Sequence, residues 1–192
     1  MKKIIIAIDS FKGCLTSAEA GKAAEKGIKS INPSCHTSVI PIADGGEGLL
    51  DVLITATKGK YITLSAHGPL MKMAKTHYGL SGNGRTAIIE MAAISGLPLV
   101  PIEQRNPMLT TTFGTGELIK DALNKGCRNF IIGIGGSATN DAGLGMLQAL
   151  GFRFLDKSGH TLGTGGQIME AVANIDTSGI HPALRETHFM VA

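Results

Sequence analysis

The chain of 192 residues is poor in aromatics, with six Phe and two Tyr, and contains no block of lysine or arginine. Its net charge is only +3, so neither an electrostatic stripe nor a stacking platform for nucleic acid is in view. Cysteine is scarce as well. Cys14, Cys35 and Cys127 are odd in number and widely spaced, which argues against a disulfide framework and for reduced cytosolic thiols. No Cys/His cluster has metal-ligand spacing, and no apolar run approaches the about 18 residues of a membrane-spanning helix. The N-terminal apolar run superficially resembles a signal peptide but is interrupted at Asp9 and lacks a small-residue cleavage site, so none is expected there. A soluble, cytoplasmic protein is expected. Also missing are G-x-x-x-x-G-K-[ST] and, after the first strand, G-x-G-x-x-G, so the ATPase loop and the dinucleotide fingerprint cannot be claimed.

What the chain has in quantity is glycine, 26 residues, beside 43% hydrophobic and 17% charged residues. That composition excludes disorder and favours a fold with many tight backbone turns at strand ends, as α/β enzymes have. The organising stretch is Phe130-Ile-Ile-Gly-Ile-Gly-Gly-Ser-Ala-Thr-Asn-Asp141. An apolar run stops at Gly135 and Gly136, passes Ser137, Thr139, Asn140 and Asp141, and enters a helical pattern. It reads as a strand, an anion-sized turn and a helix N-terminus whose N–H groups point outward. A purely structural strand-to-helix turn is the alternative.

Two more strand-end loops precede it. Residues 2–8 form a β-branched run without alternation, which predicts a strand covered on both faces of a parallel sheet. It ends at Asp9-Ser-Phe-Lys-Gly13, where Asp9, Ser10 and Lys12 are site candidates by position. A capping box, Thr16 with Glu19, then opens a helix through residue 31. Residues 37–42 predict a second strand, followed by Ala43-Asp-Gly-Gly-Glu-Gly48 and a helix. Asp44 and Glu47, three apart around Gly45 and Gly46, have the chemistry to bind a metal or take a proton. Glu47 as a mere first-turn acid is the alternative.

From residue 60 short strands and a hairpin turn at residues 81–84 predict antiparallel pairing, which places a domain boundary near that point. His67 and His77 read as surface or strand-face residues. Glu90 sits in an otherwise apolar strand and must be partnered or functional, because an unpaired buried carboxylate is costly. Residues 105–117 form a run rich in hydroxyls and glycines that leads into a helix capped by Thr115 and stopped at Gly126. The helix after residue 141 carries Leu144, Leu147, Ala149 and Leu150. Residues 152–155 read as a strand and residues 156–159 as a hairpin turn. The closing run, residues 187–192, is strand-like with no turn behind it, which reads as an incomplete fold.

Taken in order, Asp9-Ser-Phe-Lys-Gly13, Ala43-Asp-Gly-Gly-Glu-Gly48, Ile89-Glu-Met-Ala-Ala93 with Ser95-Gly-Leu-Pro98, Asn106-Pro with Thr110-Thr-Thr-Phe-Gly-Thr-Gly-Glu117, and Gly133-Ile-Gly-Gly-Ser-Ala-Thr-Asn-Asp141 resemble the bacterial glycerate kinase family, in its N-terminal portion. Asp141-Ala142-Gly143 departs from the family's usual second glycine after the aspartate. The resemblance implies an α/β fold: a Rossmann- or flavodoxin-like parallel-sheet segment at residues 1–59 and a second, mixed α/β domain with glycine-rich loops at residues 60–192, the whole truncated. It implies transfer of the ATP γ-phosphoryl group to the 2-hydroxyl of glycerate, with Mg²⁺, giving 2-phosphoglycerate and ADP.

On that basis Asp44 is the first candidate for base or Mg²⁺ ligand, with Asp9 and Asp141 next and Asp141 a second metal candidate. Lys12 would meet a phosphate or the substrate carboxylate. Ser137, Thr139 and Asn140, with Gly135 and Gly136, would hold phosphate oxygens, while Ser10, Gly45, Gly46, Glu47, Glu90, Thr111, Thr112 and Thr115 are further substrate or nucleotide contacts. The expected partners are glycerate and ATP, with no nucleic acid and no membrane, and a homodimer is left open. An inactive fragment or a non-catalytic anion-binding module of the same family remain rival readings.

Overall fold

The β-branched run at the start forms β1 (Lys3–Ile8), which pairs in parallel with β2 (His36–Pro41). A computed structural model describes residues 3–11 and 14–192. Helix α1 (Ser17–Ile31) makes the crossover and packs on both strands. It begins at the expected capping box: Glu19 N donates to Thr16 Oγ1 at 3.2 Å, and Thr16 N donates to Glu19 Oε2 at 2.9 Å. One expectation for β1 does not hold. Ile6 is 9% exposed beneath α1, but Ile5, pointing the other way, is 60% exposed. A continuous apolar run means double coverage only where both faces meet a layer, and among the described residues α1 covers one face alone.

Helix α2 (Leu49–Thr57) follows, and then a five-stranded sheet in the order β3-β4-β5-β6-β9. Strands β3 (Lys60–His67), β4 (Met73–Leu80) and β5 (Thr86–Glu90) pair antiparallel, as their turn signals predict. Strand β6 (Asn129–Gly133) lies parallel to β5, and β9 (His188–Val191) parallel to β6. The fold is therefore mixed α/β with parallel and mixed sheets. The short helix α3 (Ala92–Ser95) and helix α4 (Phe113–Asn124) form the crossover between β5 and β6.

Strand β5 is covered on both faces. Ile88 packs with Leu50 and Ile54 of α2, whereas Ala87 and Ile89 join Leu118, Ile119 and Ala122 of α4. Burying each of these isoleucines contributes roughly 1.5–3 kcal/mol, so α2, the sheet and α4 form three layers held at their centre. Helix α2, which the sequence assigns to the first domain, thus rests on β4 and β5 of the large sheet.

Helix α4 starts at Phe113 and not beyond a Thr115 cap. Thr115 is fully buried in its first turn, with Oγ1 2.8 Å from Ser95 Oγ. The helix ends at Asn124 before Gly126 at φ +90°, as expected. Helix α5 (Leu144–Ala149) is only six residues long, and β7 (Arg153–Leu155) pairs antiparallel with β8 (Asn174–Asp176) across an Arg153–Asp176 ion pair. Among the described residues no helix is long and apolar enough to cross a membrane.

Candidate functional site

Three loops leave the carboxyl ends of parallel strands, with described residues 9–11 and 14–16 after β1, 42–48 after β2 and 134–143 after β6. In open α/β sheets this is where ligands gather. The second and third loops touch backbone to backbone. Gly135 N donates to Gly45 O at 3.3 Å, and a methyl built on Gly135 would lie 2.7 Å from Gly46 Cα. Gly45 has φ +85°, and a methyl there would lie 2.3 Å from the Ala192 carbonyl carbon. Only glycine permits this approach.

The first loop meets the second through a hollow of ≈ 220 Å³ lined by Ser10, Phe11, Thr16 and Glu47. Asp9 Oδ1 accepts Ser10 N at 2.6 Å, and among the described residues Ser10 Oγ is buried without a hydrogen-bond partner. Lys12 lies outside the described residues. Asp44 and Glu47 are exposed, and Asp44 Oδ1 accepts Gly46 N at 3.2 Å, which braces the turn.

Glu90, at the end of β5, has its partner: Leu50 N donates to Glu90 Oε1 at 2.8 Å. The cap position of α2 is Gly48, which has no side chain to offer, so a carboxylate from a neighbouring strand closes the helix end instead. Burial pushes the Glu90 carboxyl above the usual range, opposed by the Leu50 N–H, and the nearby Asp51 charge adds to the rise. Glu90 therefore fixes the helix that carries the Asp44 loop.

Asp141 is 1% exposed and surrounded by donors. Its Oδ2 accepts Thr112 N at 2.8 Å, Thr111 Oγ1 at 3.1 Å and Gly145 N at 3.2 Å, while Oδ1 accepts Thr112 Oγ1 at 3.0 Å and Gly143 N at 3.1 Å. The expectation of a metal ligand or proton acceptor thus meets a carboxylate whose oxygens are engaged by protein. Thr111, Thr112 and Thr115 are likewise buried and turned to protein partners, although Thr112 also lines a hollow described below.

The organising loop departs from expectation in one respect. The sequence predicts a helix N-terminus at residues 137–141, but α5 begins only at Leu144. Its first-turn N–H groups are already taken, Gly145 N by Asp141 and Met146 N by Thr112 Oγ1 at 2.9 Å. Asp141 is thus consumed in capping the helix, and the donors that remain are in the loop itself. Among the described residues, the backbone N–H groups of Gly136, Ser137, Asn140 and Asp141 have no protein acceptor. Gly136, at φ +72°, turns the chain there. Ser137 Oγ lies 2.6 Å from Thr139 Oγ1 and accepts Thr139 N at 3.1 Å.

Residues 137–139 form a wall between two hollows. One, of ≈ 340 Å³, is lined by Met91, Thr112, Asn140, Ala142 and Met146; the other, of ≈ 270 Å³, by Leu97, Val100, Arg105, Asn106 and Thr110. The wall is tied to the end of α3 and the segment after it, with Ala138 N donating to Ser95 O at 2.8 Å and Leu97 N to Gly136 O at 3.0 Å.

Met91, Ser95 and Arg105 were not singled out as site residues from sequence, although the Ser95-Gly-Leu-Pro98 motif marks the tie that Ser95 makes. Nor was the pairing of His67 with Glu117, whose carboxylate accepts His67 N at 2.7 Å and lies 2.9 Å from His67 Nδ1. Residues fifty apart leave no local signal of such a contact. Among the described residues no group of three or more His, Cys, Asp or Glu is gathered as for a metal ion.

The family model described as the glycerate kinase family matches residues 4–192. A glycerate kinase from Bacillus subtilis is 53% identical over 99% of this chain and 50% of its own length. A glycerate 2-kinase from Escherichia coli is 48% identical over the same shares. A solved structure of a candidate glycerate kinase 2 from Salmonella typhimurium LT2 superposes with a TM-score of 0.89 at 47% identity, covering 100% of this chain and 52% of that one. The chain spans about half the length of these relatives. With motifs, fold and site loops in agreement, it belongs to the glycerate kinase family.

Proposed function

We propose that this chain supplies one wall of a kinase site that moves the ATP γ-phosphoryl group to the 2-hydroxyl of glycerate, giving 2-phosphoglycerate and ADP. The observation that carries this reading is the backbone contact between the Asp44 loop and a loop in which the N–H groups of Gly136, Ser137, Asn140 and Asp141 have no protein acceptor among the described residues. Phosphoryl transfer asks little covalent chemistry of the protein. It requires donors for phosphate oxygens, an oriented hydroxyl and a carboxylate to accept its proton or hold the metal.

The N–H groups of Gly136, Ser137 and Asn140, with the hydroxyls of Ser137 and Thr139, hold phosphate oxygens. Gly135 contributes the close packing that aligns them, and Gly45 and Gly46 do the same on the other side. Asp44 accepts the hydroxyl proton or ligates Mg²⁺. Its exposure fits a magnesium ion, which is usually held by one or two carboxylates plus substrate phosphates. Bound there, Mg²⁺ would neutralise charge on the phosphates. Asp141, with its oxygens already engaged, does not fit a metal and acts by positioning, as do Thr111, Thr112 and Thr115. Glu90 positions α2. Asp9, Ser10 and Glu47 face the remaining side of the site, and Lys12, which lies outside the described residues, supplies a point charge in this reading.

The test is ³¹P NMR of the reaction of glycerate with Mg·ATP, using a full-length polypeptide that carries this sequence. A 2-phosphoglycerate signal with stoichiometric ADP is expected. A 3-phosphoglycerate signal overturns the regiochemistry, and no phosphorylated acid overturns the kinase reading. The half-length match favours one rival, a chain that binds without turnover. Calorimetry that finds Mg·ATP or glycerate binding to this chain, with no ADP formed, would mark that case.

A further inference from the structure

Of the hollows beside the three strand-end loops, only that on the far side of residues 137–139 has a cationic side chain among its described lining residues, Arg105. Arg105 Nε donates to Val100 O at 3.2 Å, which ties down the Nε edge of the guanidinium. Its Nη1 and Nη2 groups take no acceptor among the described residues. A guanidinium held along one edge presents the other, and that edge matches a carboxylate through two parallel N–H···O bonds.

The neighbours suit the same ligand. Asn106 Oδ1 is engaged by Met108 N at 3.0 Å, so its amide nitrogen is the group left to donate. Thr110 Oγ1 donates to Ala138 O at 2.8 Å, holding the Arg105 loop against the wall. Leu97, Val100 and Pro107 line the rest and would pack against the carbon atoms of the ligand.

We infer that Arg105 is the carboxylate anchor of the acceptor substrate, and that the hollow of ≈ 270 Å³ selects a small 2-hydroxy acid by its charged end. This rests on the kinase reading above. It divides the labour across residues 137–139: carboxylate on the Arg105 side, phosphate on the side of Asn140. A single cation matches a monoanionic carboxylate. A triphosphate carries several charges and is better matched by a row of N–H groups with Mg²⁺.

The experiment titrates the ¹⁵N-labelled chain separately with glycerate, glycerol and Mg·ATP, reading backbone amides and the Arg105 Nε–H resonance. Glycerate is expected to shift Arg105 Nε–H and the amides of Ser137 and Thr139, and glycerol, which lacks the carboxylate, to leave them in place. Arg105→Gln should raise the glycerate Kd at least tenfold with the Mg·ATP response unchanged. Arg105→Lys, which keeps the charge and loses the fork, should fall between. A glycerate Kd within twofold of wild type in Arg105→Gln overturns the proposal, as does an equal response to glycerol or no response to glycerate. Loss of the Mg·ATP response alone counts against the kinase reading and leaves the Arg105 assignment standing on the glycerate arm.

Discussion

Asp141 and Thr112 are joined by backbone and side chain together: Thr112 N donates to Oδ2 at 2.8 Å and Thr112 Oγ1 to Oδ1 at 3.0 Å. The pair locks the start of α4 to the start of α5 beneath the loop of residues 134–143. A carboxylate buried this deeply is tolerated because its acceptor sites meet donors, and the same burial makes its loss expensive.

Asp141→Ala is therefore expected to destabilise the chain by about 3 kcal/mol or more, since the truncation strands several buried donors at once. Urea unfolding measures it. A midpoint shift worth less than about 1 kcal/mol would show that Asp141 does not organise this region.

The two threonines that donate to Asp141 should differ. Thr112 Oγ1 also accepts Met146 N at 2.9 Å and so spans two helices, whereas Thr111 Oγ1 receives only the nearby Phe113 N at 3.3 Å. Thr112→Val should cost roughly 2–3 kcal/mol and Thr111→Val about 1 kcal/mol. Thermal unfolding of the two variants should preserve that order.

The contact between glycine loops gives a sharper steric test. A methyl at Gly135 would lie 2.7 Å from Gly46 Cα, against backbone that cannot swing aside, whereas one at Gly163 meets nothing within 4 Å. Gly135→Ala is expected to cost roughly 1–3 kcal/mol and to speed amide exchange at Gly45 and Gly46, with Gly163→Ala close to neutral. Equal behaviour of the two variants would contradict the close approach.

Glu90 gives a pH dependence. Its folded carboxyl titrates above the ordinary value of 4.5, so the folded state holds this proton more tightly than the unfolded chain does. The associated stability is fully present below the unfolded value and is lost as pH rises through the folded one. Glu90→Gln keeps an oxygen to accept Leu50 N and removes the titration. Measured by urea unfolding from about pH 4 to about pH 8, the stability difference should move in favour of the glutamine variant as pH rises, then level off. A flat difference, or one moving toward wild type, would contradict the account.

Much of this architecture is legible in one dimension because its signals are local. The Thr16–Glu19 capping box, the stop at Gly126 and the turn that pairs β4 with β5 each fall within a few residues, and each forms as expected. The contacts that build the candidate site are not local. Glu90 reaches Leu50 across 40 residues and Thr112 reaches Asp141 across 29, so the sequence reveals that these groups need partners without revealing which. The late start of α5 has the same origin. Asp141 has the chemistry of either an open ligand group or a cap, and only the arrival of Thr111 and Thr112 from the distant loop decides between them. The exposed face of β1 was hidden for another reason: an apolar run records what a strand is suited to pack against, not whether that layer is present.

The most direct measurement is glycerate-dependent ADP release from Mg·ATP by a full-length polypeptide carrying this sequence, in wild type and Asp44→Asn. The account predicts turnover in wild type and a loss of more than about tenfold in Asp44→Asn, at least about 1.4 kcal/mol of barrier, with urea stability unchanged. ADP release that ignores glycerate, or an Asp44→Asn rate within about tenfold of wild type, would contradict it.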